Sequence, residues 1–236
     1  MKYNIITVAN ENYKDFLKLF VNSLFENVDF NSINRIYIFD TGLSKETKDY
    51  VDLFPSVEIV DTQMSIDSKE IHDEGWAKNT YSKTKFLKDI LEKDSLPTFM
   101  IDSDCIFIEG FEDLIDNEKD FVACSRDRQG FSRHIGSFFG ALNVEKSLSF
   151  LDKWISNIAH LQKEGKLKHC ESPALSKTIS ETDFAVQEVE EILVSAVFPT
   201  DVSRIIHLKS DYYATTVPQR LNLPHAIPFN RRYLQC

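Results

Sequence analysis

Two aspartates, Asp102 and Asp104, interrupt the otherwise apolar run "FMIDSDCIFIEG" at residues 99–110. Residues i and i+2 of a strand share a face, so the two carboxylates would lie side by side and repel. Such a pair is stable only when a proton or a cation sits between its members. Hard carboxylate oxygens suit Mg²⁺ or Mn²⁺, and such an ion in turn neutralises a diphosphate.

A phosphatase of the haloacid-dehalogenase type is the rival chemistry, with Asp102 as nucleophile and Asp104 as acid/base. That motif opens its domain on the first strand, whereas this pair follows three strand–helix units and continues as "SDCIF". The preceding helix favours the metal. Trp76, Thr80, Lys83, Leu87, Ile90 and Leu91 fall at i, i+4, i+7, i+11, i+14 and i+15, which is one face. Lys83 therefore lies on the stripe that packs against the sheet. A buried lysine needs an anion, and Asp102, Asp104 or a substrate phosphate would serve; helix spacing alone equally allows a lysine that snorkels at the sheet's rim.

These residues need a frame that brings strand ends together. "YNIITVAN" (3–10), "INRIYIFDTG" (33–42), "VEIVDT" (57–62) and "TFMID" (98–102) read as strands separated by helical patterns, the last helix being 75–94. Ser44 offers an N-cap to a short polar helix. Strands alternating with helices argue for an α/β layer with a mostly parallel sheet. Ligands gather outside the carboxyl ends of such strands, where Asn10, Asp40 and Asp102 all occur. Beyond residue 105, "DFVACS" (120–125) and "SFFGALN" (137–143) read as strands and 144–164 as a long amphipathic helix. After a polar loop, residues 179–196 read as a helix opened by a Ser-x-x-Asp capping box at Ser180 and Asp183, and 203–212 as a last strand. One domain is expected, in two halves (1–105 and 106–212) with a proline-containing tail (213–236).

The totals limit the partners. The chain has 236 residues, with 27 Lys plus Arg against 37 Asp plus Glu, a net charge of −10. That balance opposes unaided binding to nucleic acid or anionic membranes. Eighteen phenylalanines imply an aromatic core. The four cysteines, Cys105, Cys124, Cys170 and Cys236, make no CxxC or CxxH pattern, so neither a zinc site nor a disulfide framework is expected. With no apolar stretch long enough to span a bilayer and a first strand at the amino terminus, the expectation is a cytoplasmic protein.

"YSKTKFLKDIL…TFMIDSDCIF" resembles the Lys-Pro-x-Phe-Leu helix and hydrophobic-Asp-x-Asp strand of GT-A glycosyltransferases, with Thr84 in place of the proline. "IITVAN" is similar to their first nucleotide-binding strand, and "GSFFGALN" to the segment flanking sugar and acceptor. "SETDFAVQ" and "IIHLKSD" resemble the Asp-Gln helix start and the late His-containing loop of the retaining, glycogenin- and galactosyltransferase-like branch. The sequence departs from that branch at Phe184, where Gln is usual, and in "HLKSDY", which lacks the Gly and Lys-Pro-Trp continuation.

The resemblance implies a GT-A-like, Rossmann-type sandwich: a central, mostly parallel sheet flanked by helices. It implies transfer from a nucleotide-diphosphate sugar, UDP-sugar favoured, to a glycan, lipid or protein hydroxyl, with retention and with Mn²⁺ or Mg²⁺. Asp102, Asp104 and His207 would hold the metal. Thr7, Val8, Asn10, Asp40, Lys83, Asp102, Ser103, Gly136 and Ser137 would line the nucleotide-sugar site. Lys209 would face the diphosphate, and Asp183 the reacting carbon or the acceptor. A nucleotidyltransferase would share sheet and metal, but no Gly-rich, basic loop follows "TVAN". A domain that binds nucleotide without turnover is the non-enzymatic alternative.

Overall fold

A computed structural model describes residues 1–64, 74–127, 129, 132–165, 170–197 and 199–208, with only the backbone of 74–76 and 79. Lys209, the side chain of Trp76 and the tail 213–236 lie outside the described residues.

The first half alternates as the sequence suggests: β1 (Tyr3–Ala9), α1 (Lys14–Asn27), β2 (Ile33–Asp40), α2 (Lys45–Val51), β3 (Val57–Asp61), α3 (Glu74–Lys93) and β4 (Thr98–Ile101). There follow β5 (Cys105–Phe107), β6 (Phe121–Ser125), β7 (His134–Ala141), α4 (Val144–Lys163), α5 (Glu171–Ser180), β8 (Val186–Glu190), α6 (Glu191–Val194) and β9 (Ile205–His207). Seven strands form one sheet in the order β3-β2-β1-β4-β7-β6-β8, and β5 pairs with β9 in a separate ribbon. Only β7 runs against the rest, pairing antiparallel with β4 and β6. Strands covered on both faces lose the in–out alternation, and all four residues of β4 are buried.

Helices cover both faces. On one, Leu17, Phe20, Val21 and Leu24 of α1 pack with Ile5, Ile38, Phe107 and Phe138. On the other, Leu87, Ile90 and Leu91 of α3 join Phe150, Leu151 and Trp154 of α4 over Ile6, Met100 and Phe139. The core is aromatic: Tyr3, Phe99 and Phe111 meet edge-on or tilted, with centroids 5.0–5.8 Å apart. Each such ring removes about 150–250 Å² from water. Ser44 caps α2, its hydroxyl accepting from the Thr47 N–H at 3.2 Å.

The helix expected over 179–196 does not form. Ser180 ends α5 rather than opening a helix, and its hydroxyl donates to the Lys177 carbonyl at 2.8 Å. The segment after Asp183 becomes β8, paired in parallel register from Phe121↔Val186 to Ser125↔Glu190. Closing the exposed edge of β6 outweighs the helical preference of "VQEVE", an instance of tertiary pairing overriding local propensity, and only Glu191–Val194 turn helical, as α6. Of the last strand, expected over 203–212, the described residues include Ile205–His207 in β9.

Candidate active site

The β4 strand ends at Ile101, and the chain turns at once. The Asp102 carbonyl accepts from the Cys105 N–H at 3.0 Å, while the Asp102 N–H donates to the Ser137 carbonyl at 3.1 Å. This turn hands the chain from the main sheet to the β5–β9 ribbon. There Cys105 lies opposite His207, and the Leu208 N–H donates to the Asp104 carbonyl at 2.9 Å. The result is a convergence of residues about a hundred positions apart. His207 Nε2 lies 3.2 Å from Asp104 Oδ1 and 3.7 Å from Asp102 Oδ2. On the far side of the ring, Nδ1 pairs with Ser195 Oγ at 2.9 Å, and Ser195 with Ser137 Oγ at 2.6 Å. A hydrogen bond to one ring nitrogen orients the other, so the serines aim Nε2 at the two carboxylates.

Lys83 comes from α3, one turn before the buried Leu87, and is itself buried. Its ammonium binds Asp102 Oδ1, lies 3.1 Å from Glu171 Oε1 and donates to the Gly136 carbonyl at 3.3 Å. The ammonium therefore donates to Asp102 and the Gly136 carbonyl and pairs its charge with Glu171 as well. Burial works against the charge, but Asp102 and Glu171 outweigh it and hold Lys83 above its ordinary pKa.

Glu171 opens α5, which α4 holds in place. Trp154 Nε1 donates to the Glu171 carbonyl at 3.1 Å, and Asn157 to Thr178 Oγ1 at 3.0 Å. Gly136 leaves room for it, because a Cβ there would stand 2.5 Å from the Glu171 carboxyl carbon and displace that carboxylate.

Of the residues singled out in the sequence, Lys83, Asp102, Asp104, Gly136, Ser137 and His207 come together here, with buried Ser103 in the turn between the aspartates. Asn10 is at the neighbouring end of β1, where its side chain caps a short turn by accepting from the Asn12 N–H at 3.1 Å. Val8 is half-buried, and Thr7 is wholly buried opposite Ile38. Asp40 ends β2, but its Oδ1 accepts from the N–H groups of Gly42 and Leu43 at 2.8 and 2.6 Å, and Lys48 holds its Oδ2 at 2.5 Å.

Asp183 is not part of the cluster. It precedes β8, which runs parallel to β6, so it lies at the amino-terminal edge of the sheet, beside the hydrogen bond from the Ala185 N–H to Asp120. Its expected place beside a sugar depended on the helix that β8 replaces. Glu171 is the carboxylate present instead. It fell within the stretch read as a polar loop, although Pro173 two residues on is a first-turn helix signal. Ser195 gave no sequence signal.

Two carboxylates and an imidazole nitrogen, with the imidazole oriented from behind, form a donor set suited to Mn²⁺ or Mg²⁺. Asp104, Cys105 and His207 also place ligand atoms within 4.8 Å of one another. Among the described residues no helix is long and apolar enough to cross a membrane.

No family model and no curated protein sequence matches the chain. Solved structures do. An active-site mutant of LgtC superposes with a TM-score of 0.63 at 13% identity, over 86% of each chain. Galactosyltransferase LgtC in complex with donor and acceptor sugar analogues superposes with a TM-score of 0.59 at 14% identity, over 80% of this chain and 74% of that one. With the likeness covering most of its length, this chain has the GT-A glycosyltransferase fold.

Proposed function

We propose that the protein transfers a sugar from a nucleotide-diphosphate donor, with UDP-sugars favoured, to an acceptor hydroxyl with retention, using Mn²⁺ or Mg²⁺. The observation that carries this reading is the meeting of Asp102, Asp104 and His207 at the carboxyl end of β4, next to buried Lys83. The donor and acceptor analogues bound to structurally similar LgtC support the same substrate class.

Asp102, Asp104 and His207 would hold the ion, which supplies Lewis-acid stabilisation of the departing diphosphate. Lys83 acts as counter-charge to Asp102 and Glu171, both of which its ammonium contacts. It thereby holds both carboxylates in place. Glu171, over Gly136, takes the role of orienting a sugar or acceptor hydroxyl that the sequence pattern gave to Asp183. In the transfer the bond from the anomeric carbon to the phosphate oxygen breaks, one to the acceptor oxygen forms, and the acceptor's hydroxyl proton passes to the departing diphosphate. Lys209, two residues beyond His207, would meet the charge left on the diphosphate.

Thermal-shift titration with nucleotide sugars, with and without Mn²⁺, tests the reading, because a ligand that binds only the native state raises its melting point. A rise that needs both donor and Mn²⁺, lost in Asp104→Ala, is expected, together with slow donor hydrolysis. A metal-independent rise, or phosphate release from simple esters, would refute it.

A further inference from the structure

Metal-ligand chemistry is richer here than two carboxylates and a histidine. Cys105 follows Asp104 directly and is the cross-strand partner of His207 in the β5–β9 ribbon. Directly opposed residues of an antiparallel pair present their side chains on one face, so the thiol and the imidazole are neighbours. Asp104, Cys105 and His207 bring a carboxylate oxygen, a sulfur and a ring nitrogen within 4.8 Å of one another. All three are buried: Cys105 is wholly inaccessible, Asp104 is 7% exposed and His207 4%. Asp102 is held differently, because one of its oxygens is already bound by the Lys83 ammonium.

We infer that the site offers two overlapping ligand sets, and that the softness of the ion decides which is used. A hard ion such as Mn²⁺ takes Asp102, Asp104 and His207. A thiophilic ion such as Zn²⁺ takes Asp104, Cys105 and His207, on the side of the ribbon that faces the core. Asp104 and His207 serve both, and the third ligand changes. Binding the softer ion breaks the Cys105 S–H bond, forms a metal–thiolate bond and releases the proton to solvent. The Irving–Williams order already favours Zn²⁺ over Mn²⁺ at any nitrogen, oxygen and sulfur site, and a thiolate widens the gap. Drawn toward Cys105, Zn²⁺ leaves Asp102 to Lys83 and moves off the edge where a diphosphate would lie. Zn²⁺ thus competes with Mn²⁺ for the site. The wide sequence spacing of the cysteines conceals this set, since the ribbon and not a CxxC motif assembles it.

Titration of the whole chain with Co²⁺ tests the inference without reference to sugar transfer, so it survives or fails separately from the proposed function. The wild type should develop the near-ultraviolet thiolate-to-cobalt charge-transfer band, and Cys105→Val should lack it. Zn²⁺ affinity should fall by at least about tenfold in Cys105→Val, as losing a ligand costs no less than losing its supporting hydrogen bond. Mn²⁺ affinity, read from the paramagnetic signal of the unbound ion, should stay within about twofold, since the hard set keeps all its members. Cys105→Ser, closer to cysteine in size, should also lack the band and covers the case in which valine disturbs the core. No band in the wild type, a band that persists in both variants, or equal Zn²⁺ affinity in wild type and variants would each overturn the inference.

Discussion

Asp40 ends β2 and Asp102 directly follows β4, the two strands that flank β1, and their carboxylates meet opposite fates. Asp40 is satisfied locally. Two backbone N–H groups of its own turn and the half-exposed Lys48 take up both oxygens. Gly42, at φ 128°, gives that turn the backbone geometry it needs. Asp102 is satisfied from a distance, by Lys83 on a helix before it, and stands beside His207 from a strand about a hundred residues later. One aspartate closes a turn, and the other helps collect the pieces of a site. A carboxylate whose partners are all local leaves little for a ligand to do, whereas one held by remote charges makes fold and site depend on each other.

Breaking the remote partnership should cost most. Lys83→Met leaves Asp102 and Glu171 facing each other with no counter-charge, and should lower stability by about 3–5 kcal/mol, seen as a lower midpoint in urea unfolding. The equivalent change beside Asp40, Lys48→Met, removes a half-exposed partner and should cost about 1 kcal/mol or less. Equal losses would erase the distinction. Asp40→Ala, which strands the Gly42 and Leu43 N–H groups, should cost about 1–3 kcal/mol and leave Mn²⁺ affinity unchanged.

The Asp40 change should also alter the acid limb. Burial alone would raise the carboxyl's pKa, but the Leu43 N–H, Lys48 and the Gly42 N–H together hold it below its ordinary value of 3.8. Its folded form therefore binds a proton less readily than the unfolded chain. The stability this contributes is complete above that ordinary value and is lost as pH falls through the lower, folded one. Asp40→Ala should flatten the fall in melting temperature in that acid window.

A subtler probe is Ser195→Ala, which frees Nδ1 of His207 without touching a proposed ligand. Mn²⁺ affinity should weaken about tenfold, the lower end of what supporting shells contribute. An unchanged affinity would mean that the serine relay only fills space. The smallest effect is expected of Asp183→Ala: within about 0.5 kcal/mol in stability, and no change in metal affinity by calorimetry.

The same contrast explains what could be read from the chain. The parallel half was legible because its signals are local: apolar runs ending in Asn10, Asp40 and Asp102, a cap at Ser44, and a helical stripe that places Lys83 on the sheet. The stripe left Lys83 either paired with a buried anion or snorkelling at the rim, and Asp102 provides the anion. Glu171 and Ser195 were not legible, because what brings them to the site is non-local. Trp154 fixes the start of α5 through a backbone carbonyl, and Ser195 meets His207 across the junction of α6 and β9. Asp183 was misplaced for the same reason. Its capping pattern is a valid local signal, and only the edge of β6, sixty residues earlier in the chain, overrides it.

The β5–β9 ribbon adds a consequence in time. Three residue pairs join segments about a hundred positions apart, and closing so long a loop for so few contacts makes this among the last pairings to form and the first to open. The main sheet can consolidate while Asp102 and Asp104 still wait for His207. A cation gripping Asp104 on one side and His207 on the other would act as a clasp, slowing amide exchange at Ile106 and Ile206 far more than in the rest of the molecule. Folding and ion capture would then share a final step, and the newly made chain would acquire its site only when its last described strand arrives.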